Sequence, residues 1–262
     1  MPLEAIASSR QPPTAFVRCV VHGVLSCMYT YTFYIARTLD YSIINLPTIN
    51  EVDKYIRYTL TLWTLSMIMG FFIISTFLDF FEILPQPAII NKLLNKFREI
   101  INFLFISTIT PVSMCVCSGF WFAWILNSKD IYPEEMNNYI PVWLNHMVHT
   151  LPIIICFFEL LFSFHKTPKL KHSLICLLTF ETVYMLTLVI LRIRHGRWVY
   201  LLIDIYVNTL FKVIIMFSFL CYIFPVIYLI GCCMLNNYYW GIKVTENINN
   251  TEKVVNVKLK KT

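Results

Sequence analysis

Charged residues are scarce in this sequence: they make up 14% of its 262 residues, whereas hydrophobic residues make up 58%. A soluble globular domain would have about a quarter of its residues charged. The mean hydropathy is positive. The scarcity of charge excludes an ordinary soluble domain and indicates an integral membrane protein.

Long polar stretches and internal repeats are also absent. The longest polar segments, 37–57, 80–99 and 241–262, are each too short to bury a core of their own. There is no inverted repeat or pair of Gly/Pro-broken helices of the kind that secondary transporters show. We therefore expect function to lie within or beside the membrane helices.

Apolar runs of about 20 residues, enough to cross a bilayer as helices, recur along the chain. Runs such as SMIMGFFIISTFL do not alternate as barrel strands would. The first run is not followed by a small-x-small cleavage site, so it is expected to remain as a helix. The sequence predicts an all-α, polytopic membrane helix bundle of about six transmembrane helices, forming one domain over 1–262 with a cytoplasmic tail at 242–262. The approximate spans are 15–36, 58–79, 100–126, 140–163, 173–191 and 209–235.

The segment 83–100 predicts an additional amphipathic helix after its two prolines, because Lys92, Lys96 and Glu99 oppose a row of apolar residues. We expect it to lie in the membrane interface.

Basic residues are dispersed over the loops and the tail, so the net charge of +6 gives no indication of nucleic-acid binding. With the N-terminus inside, twelve Lys and Arg fall on the inner side and seven on the outer side, which favours cytoplasmic termini. The final KLKKT is similar to a dilysine retrieval signal, which favours the endoplasmic reticulum; a solvated basic tail and a plasma-membrane location are the alternatives. The nine cysteines lie mostly within spans and are expected to be free thiols.

Motifs for serine and metal chemistry are missing. No Gly-x-Ser-x-Gly occurs, which argues against a serine hydrolase of the α/β type. His146 and His149 have a spacing that suits two metal ligands, but the chain has only six histidines, too few for an iron-dependent membrane hydroxylase. The other four are scattered and are expected to form no second cluster: His22, His165, His172 and His195. We predict no metal.

Two histidines lie inside a predicted span, in IPVWLNHMVHT. On a helix, Asn145, His146 and His149 share one face, so Asn145 could fix the tautomer of His149 and leave its other nitrogen free. Alternatively, both histidines lie at the head-group level beside Trp143.

Three threonines begin the second span in RYTLTLWTLS, namely Thr59, Thr61 and Thr64. The second and fourth spans run in the same direction, so Thr61 and His149 are expected near the same side of the membrane. The alternative is that each threonine bonds only to its own backbone.

The motifs IYPEEMNNYIPVWLNHMVHT, GRWVYLL and LNNYYWG together resemble the androgen-induced protein family of membrane proteins. The resemblance covers about residues 54–241. It implies a threonine hydrolase acting on fatty acid esters of hydroxy fatty acids, without a cofactor. By position it makes His149 the catalytic base and Thr61 the nucleophile, with Thr59 as the competing threonine.

The implied mechanism gives supporting roles to four further residues. Asn145 and Tyr200 are candidate oxyanion donors, Arg57 could hold a substrate carboxylate, and His146 would support His149. The alternatives are a non-enzymatic lipid-binding or regulatory membrane protein and, less favoured, a metal-dependent lipid hydroxylase.

The remaining ionisable residues at membrane depth have structural interpretations. Glu159 is expected to accept hydrogen bonds from a neighbouring helix, and Glu181 to be a structural carboxyl or a functional one. Arg18 and Lys212 are expected to reach towards water from span ends.

Overall fold

A computed structural model describes residues 11–40, 55–132, 134–200, 203 and 209–241. The described part is helical and has no strand, which confirms the all-α prediction. The predicted tail, 242–262, lies outside it, as do residues 201, 202 and 204–206 of the loop that follows Trp198. We number the helices α1 Ala15–Thr38, α2 Leu60–Ile83, α3 Ala88–Leu104, α4 Thr110–Leu126, α5 Ser128–Ile131, α6 Val142–His149, α7 Leu151–Phe162, α8 Leu170–His195, α9 Leu210–Phe217 and α10 Phe224–Trp240.

Local sequence signals explain where these helices begin and end. The side chains of Thr14, Thr59 and Thr209 accept hydrogen bonds from the first turns of α1, α2 and α9, as N-cap residues do. Gly196 and Gly241 end α8 and α10 with φ of 75° and 66°, a left-handed conformation that favours glycine. Each of these five boundaries therefore has a residue whose chemistry suits it.

Five helical segments are long and apolar enough to cross a membrane, and a sixth is obtained if α6 and α7, bent by 44° at their junction, are one span. Side chains such as Ile125 and Ile193 are 75% and 78% exposed on the outside of the bundle, where lipid would cover them. The prediction of a polytopic bundle of about six transmembrane helices is confirmed.

The helix predicted after the two prolines of 83–100 is present as α3, which begins directly after Pro87. Helix α3 continues through a π-helical turn, Phe105–Ile109, into α4, so that 88–126 forms one helical segment. None of the residues of α3 is buried, whereas the π-helical turn is buried throughout. Helix α3 therefore lies on the surface of the bundle, and the π-helical turn lies inside it.

The core forms where α1 packs along α2, with α4, α7 and α10 around them. Tyr29 of α1 stacks on Phe72 of α2, and both are fully buried. A smaller cluster joins Tyr184 and Leu188 of α8 to Phe217 and Ile203. All nine cysteines are free, as predicted.

The chain direction divides the polar residues between the two ends of the bundle. The starts of α2 and α6 and the ends of α4 and α8 lie at one end, which we call the Thr61 face. The starts of α1 and α3 and the ends of α2 and α7 lie at the other, which we call the Asp79 face. At 1.5 Å per residue, Thr61 and Asp79 are about 27 Å apart along α2.

Candidate active site at the Thr61 face

The centre of the site is a contact between α2 and α6. The Thr61 Oγ1 atom lies 3.3 Å from Nε2 of His149. Thr61 is the second residue of α2, and His149 is the last residue of α6. A hydroxyl and an imidazole nitrogen at this separation are within reach of proton transfer.

Asn145 orients the histidine. Its Oδ1 atom lies 2.7 Å from Nδ1 of His149, one helical turn away. Because an amide oxygen can only accept, Nδ1 must donate. In a neutral ring Nε2 then has no proton, and its lone pair faces the Thr61 hydroxyl.

Aromatic residues of α4 hold the imidazole ring in place. Phe120 stacks on His149 with 3.7 Å between ring centroids and 7° between ring planes. Trp121 donates its indole N–H to the His149 carbonyl at 3.0 Å and to Thr150 Oγ1 at 3.2 Å. Sequence reasoning missed both residues, because an aromatic run in a membrane span gives no signal of its partner.

The helix break after His149 makes the indole contact possible. Pro152 lacks a backbone N–H and lies in the first turn of α7, where the chain bends by 44°. The interruption leaves the His149 carbonyl as an acceptor for Trp121. The contact with Trp121 therefore holds the backbone of His149 at the bend.

Thr59, the competing threonine, has a different role. Its hydroxyl hydrogen is donated to the Ile56 carbonyl at 2.8 Å. Its hydroxyl oxygen accepts from the Leu62 amide at 3.4 Å and so caps α2. Thr64 is buried and its hydroxyl has no partner among the described residues. Of the three threonines, Thr61 contacts the histidine.

Two tyrosines support the start of α2 beside Thr61. The Tyr200 hydroxyl accepts from the Leu60 amide at 2.8 Å and shares a 2.7 Å hydrogen bond with the Tyr184 hydroxyl. Burial raises the pKa of Tyr200 to about 12, so its hydroxyl remains protonated at neutral pH. Tyr184 was not predicted; it lies one turn after Glu181 on α8.

His146 and Arg57 lie at the edge of this arrangement. His146 is exposed, stacks on Trp121 at 5.8 Å and shares a 3.1 Å hydrogen bond with Thr150, so it supports the same turn as His149 without contacting Thr61. Arg57 is exposed in the short 3₁₀ turn before α2, four residues before Thr61. Trp143, at the start of α6, stacks on Tyr31 of α1 with 5.9 Å between ring centroids.

One prediction about the Asp79 face was wrong, and two histidines meet there although they are far apart in the sequence. His22 and His165 both contact the Glu159 carboxylate, at 3.1 and 3.2 Å. Arg18 does not reach towards water but pairs with Asp79 at 3.1 Å. Helix packing brings residues far apart in the chain together here. The prediction that Glu159 accepts from a neighbouring helix is confirmed, since His22 lies on α1.

Two further ionisable residues have different surroundings. Glu181 is fully buried, and neither of its carboxyl oxygens has a partner in the described part of the chain. Lys212 is exposed near the start of α9. Over residues 11–40, 55–132, 134–200, 203 and 209–241, no three His, Cys, Asp or Glu side chains are grouped as ligands of a metal ion.

The residues of this site fall within a segment that a family model recognises: residues 17–237 match the model of FAR-17a/AIG1-like proteins. The chain belongs to this family. Membership agrees with the resemblance noted in the sequence, and with the multi-helix membrane fold.

Individual relatives match more weakly and over part of their length. Androgen-dependent TFPI-regulating protein of Homo sapiens is 33% identical over 151 residues, which are 57% of this chain and 63% of the relative. Androgen-induced gene 1 protein of Homo sapiens is 32% identical over 130 residues, 50% of this chain and 53% of the relative. The chain thus spans between half and two thirds of these curated relatives. No solved structure matches it.

Proposed function

We propose that this protein is a membrane-embedded esterase that hydrolyses fatty acid esters of hydroxy fatty acids, with Thr61 as nucleophile and His149 as base. The supporting observation is the contact of 3.3 Å between Thr61 Oγ1 and His149 Nε2, in a ring whose Nδ1 is held by Asn145. A threonine hydroxyl is a poor nucleophile unless such a base is adjacent. The choice of ester follows from the family resemblance.

Acylation begins when the Thr61 hydroxyl gives its proton to His149 Nε2 and Oγ1 attacks the ester carbonyl. The ester C–O bond then breaks. The oxygen of the departing hydroxy fatty acid takes the proton from His149, and the acyl chain remains bonded to Thr61.

In deacylation water is the nucleophile, His149 is again the base, and Thr61 is the leaving group. Water gives a proton to His149 and attacks the acyl-threonine carbonyl. Thr61 Oγ1 leaves and recovers that proton, and the free fatty acid is released. No cofactor is needed for either step.

Stabilisation of the oxyanion is assigned to Tyr200. Its oxygen accepts from the Leu60 amide. When Tyr184 also donates to that oxygen, the Tyr200 hydroxyl hydrogen is free to point at the substrate. The Asn145 oxygen is used by His149, so Asn145 acts as a positioning residue and only its amide N–H₂ remains available to the oxyanion.

The substrate would reach the site from the membrane. Apolar side chains cover the outside of the bundle, so two acyl chains can remain in lipid while the ester enters between α2 and α6. Arg57, exposed just before α2, would hold the free carboxylate of the hydroxy fatty acid. His146 would support the turn that ends α6.

Hydrolysis of a branched fatty acid ester by the detergent-solubilised full chain tests this proposal. Thr61→Ala and His149→Ala are expected to abolish turnover, because each removes one of the two reacting groups. Thr59→Ala is the matched control, a threonine two residues away, and should keep turnover. If the wild type cleaves no lipid ester, or Thr61→Ala keeps its full rate, the proposal is wrong and a non-enzymatic lipid-binding role becomes the better interpretation.

We also infer that the protein resides in the endoplasmic reticulum, since KLKKT at 258–262 is similar to a dilysine retrieval signal. The double change Lys258→Ser and Lys260→Ser should move a tagged protein to the plasma membrane. An unchanged reticular distribution would contradict the role assigned to the tail.

A further inference from the structure

A cavity lies at the Asp79 face, on the opposite side of the bundle from Thr61. Its volume is about 740 Å³, a size that holds a small ligand or a lipid head group. It opens between the start of α1, the end of α2, the start of α3 and the residues that follow α7. The proposed esterase makes no use of it.

A network of ion pairs forms its floor. Asp79 is fully buried and accepts from Arg18 at 3.1 Å, from Arg98 at 2.8 Å and from His22 at 2.6 Å. The same two arginines donate to Glu82 at 2.7 and 2.8 Å. The guanidinium groups are therefore already paired within the protein.

His22 completes the charge balance. One ring nitrogen faces Asp79 at 2.6 Å and the other faces Glu159 at 3.1 Å. Both carboxylates accept, so both nitrogens donate and the ring is an imidazolium. The floor then has three cations, Arg18, Arg98 and His22, and three carboxylates, Asp79, Glu82 and Glu159.

Beside this network, two buried polar atoms lack a hydrogen-bond partner among the described residues. His165 donates from Nε2 to Glu159 at 3.2 Å, which leaves Nδ1 as an acceptor. Neither that Nδ1 nor the Ser163 hydroxyl has a hydrogen-bond partner in the described part of the chain, although the residues are only 1% and 6% exposed. Both line the cavity. Buried polar groups are almost always satisfied, so these two atoms are available to a hydroxyl group or to water.

The remaining walls define what that ligand contains. Asn91, Asn95 and Asn102 follow one face of α3 and present amides, which both donate and accept. Phe71 and Phe164 add apolar surface. A wall with balanced charge gives no net attraction to an anion or a cation, and the free groups suit hydroxyls.

We propose that this cavity binds the uncharged, hydroxylated head group of a lipid, namely a glycerol group bearing one acyl chain. The hydroxyls would bond to His165 Nδ1, to Ser163 and to the amides of α3. The acyl chain would leave past Leu84 and Phe164, which line the cavity and are exposed at the surface of the bundle. The same hydroxyl chemistry is offered by free glycerol, a soluble source.

Photo-crosslinking distinguishes these possibilities. The full chain in phosphatidylcholine nanodiscs is labelled with a diazirine analogue of monooleoylglycerol, and the labelled peptides are identified by mass spectrometry. Saturable labelling of residues 84–102 and 159–165 is expected, with competition by unlabelled monooleoylglycerol. If free glycerol competes at equal concentration, the head group alone is the ligand; if only monooleoylglycerol competes, the acyl chain contributes.

Variants locate the ligand. Ser163→Ala should raise the half-saturating concentration about fivefold, the value of one neutral hydrogen bond. Asn95→Trp should abolish labelling by filling the mouth of the cavity from an exposed position, without touching the ion-pair network. Ser218→Ala and Lys96→Trp, which change residues that do not line the cavity, should leave labelling unchanged.

Three results would overturn the proposal. One is the absence of saturable labelling. Another is labelling that neither Ser163→Ala nor Asn95→Trp alters. The third is stronger competition by oleate or by lysophosphatidate than by monooleoylglycerol, since the balanced floor predicts preference for an uncharged head group.

Discussion

Asn145 accepts a 2.7 Å hydrogen bond from Nδ1 of His149, and both residues lie on the two-turn helix α6. This bond places the lone pair of Nε2 towards Thr61. Without it, the neutral ring can protonate Nε2 instead, and the hydroxyl of Thr61 then loses its acceptor. The identity of residue 145 therefore decides which tautomer the site holds.

Asn145→Leu should lower the kcat for ester hydrolysis by about 100-fold, in the range of general-base effects, with little change in KM. Asn145→Asp keeps an oxygen acceptor for Nδ1 and should retain most of the activity. Steady-state kinetics on the three proteins tests this. Equal losses for Leu and Asp would show that the tautomer is not what residue 145 controls.

Thr59→Ala should lower the free energy of unfolding by about 1 kcal/mol, because it removes the N-cap of α2. Thermal unfolding in detergent measures this loss, and the turnover per folded molecule should stay near the wild-type value. A loss of turnover larger than the loss of folded protein would contradict the assignment of Thr59 to capping alone.

Thr61→Ser keeps the attacking oxygen and should retain measurable turnover, whereas Thr61→Ala has none. A slowly hydrolysed ester incubated with the wild type should add the mass of one acyl chain to the peptide that contains Thr61. Mass spectrometry detects the adduct, and its appearance on Thr59 or Thr64 would require a different nucleophile.

Tyr200→Phe should lower kcat by about tenfold or more, since an oxyanion donor is lost while the aromatic ring still fills its site. Tyr184→Phe should have a smaller effect, because Tyr184 acts through Tyr200 at 2.7 Å. Measuring kcat at matched amounts of folded protein tests which of the two substitutions has the larger effect. A larger effect for Tyr184 would reverse the two roles.

Asp79→Asn should lower the free energy of unfolding by about 3 kcal/mol, as expected when a buried ion-pair network loses its shared acceptor. Glu82→Gln is the matched control: it removes a carboxylate from the same two arginines, but at a side chain that is 47% exposed, so its effect should be under about 1 kcal/mol. Comparable losses for the two variants would argue against burial as the cause.

The sequence predicted that Thr61, Asn145 and His149 would meet, because the determinants of these contacts are local. Hydropathy defines the spans, and helical spacing places Asn145 next to His149. Because the second and fourth spans run in the same direction, Thr61 and His149 lie on the same side of the membrane. The motif resemblance then favoured Thr61 over Thr59, and the N-cap bonds of Thr59 give an independent physical reason.

The other contacts of the two faces depend on how the helices are rotated relative to one another, and no local sequence pattern specifies that rotation. The contact between His22 and Glu159 joins residues 137 positions apart, and the one between Tyr200 and Leu60 joins residues 140 apart. Phe120 and Trp121 belong to a run that is apolar on all sides, so periodicity does not indicate which of its members faces His149.

The position of Thr61 in the first turn of α2 determines how the ester substrate reaches it. The proposed dyad of Thr61 and His149 lies at one end of the bundle, about 27 Å from the Asp79 face. An ester in the nearer leaflet reaches it by lateral diffusion, whereas one in the opposite leaflet must first undergo flip-flop. For the proposed esterase in a sealed vesicle with a single protein orientation, turnover would therefore slow to the rate of flip-flop once the nearer leaflet has been depleted.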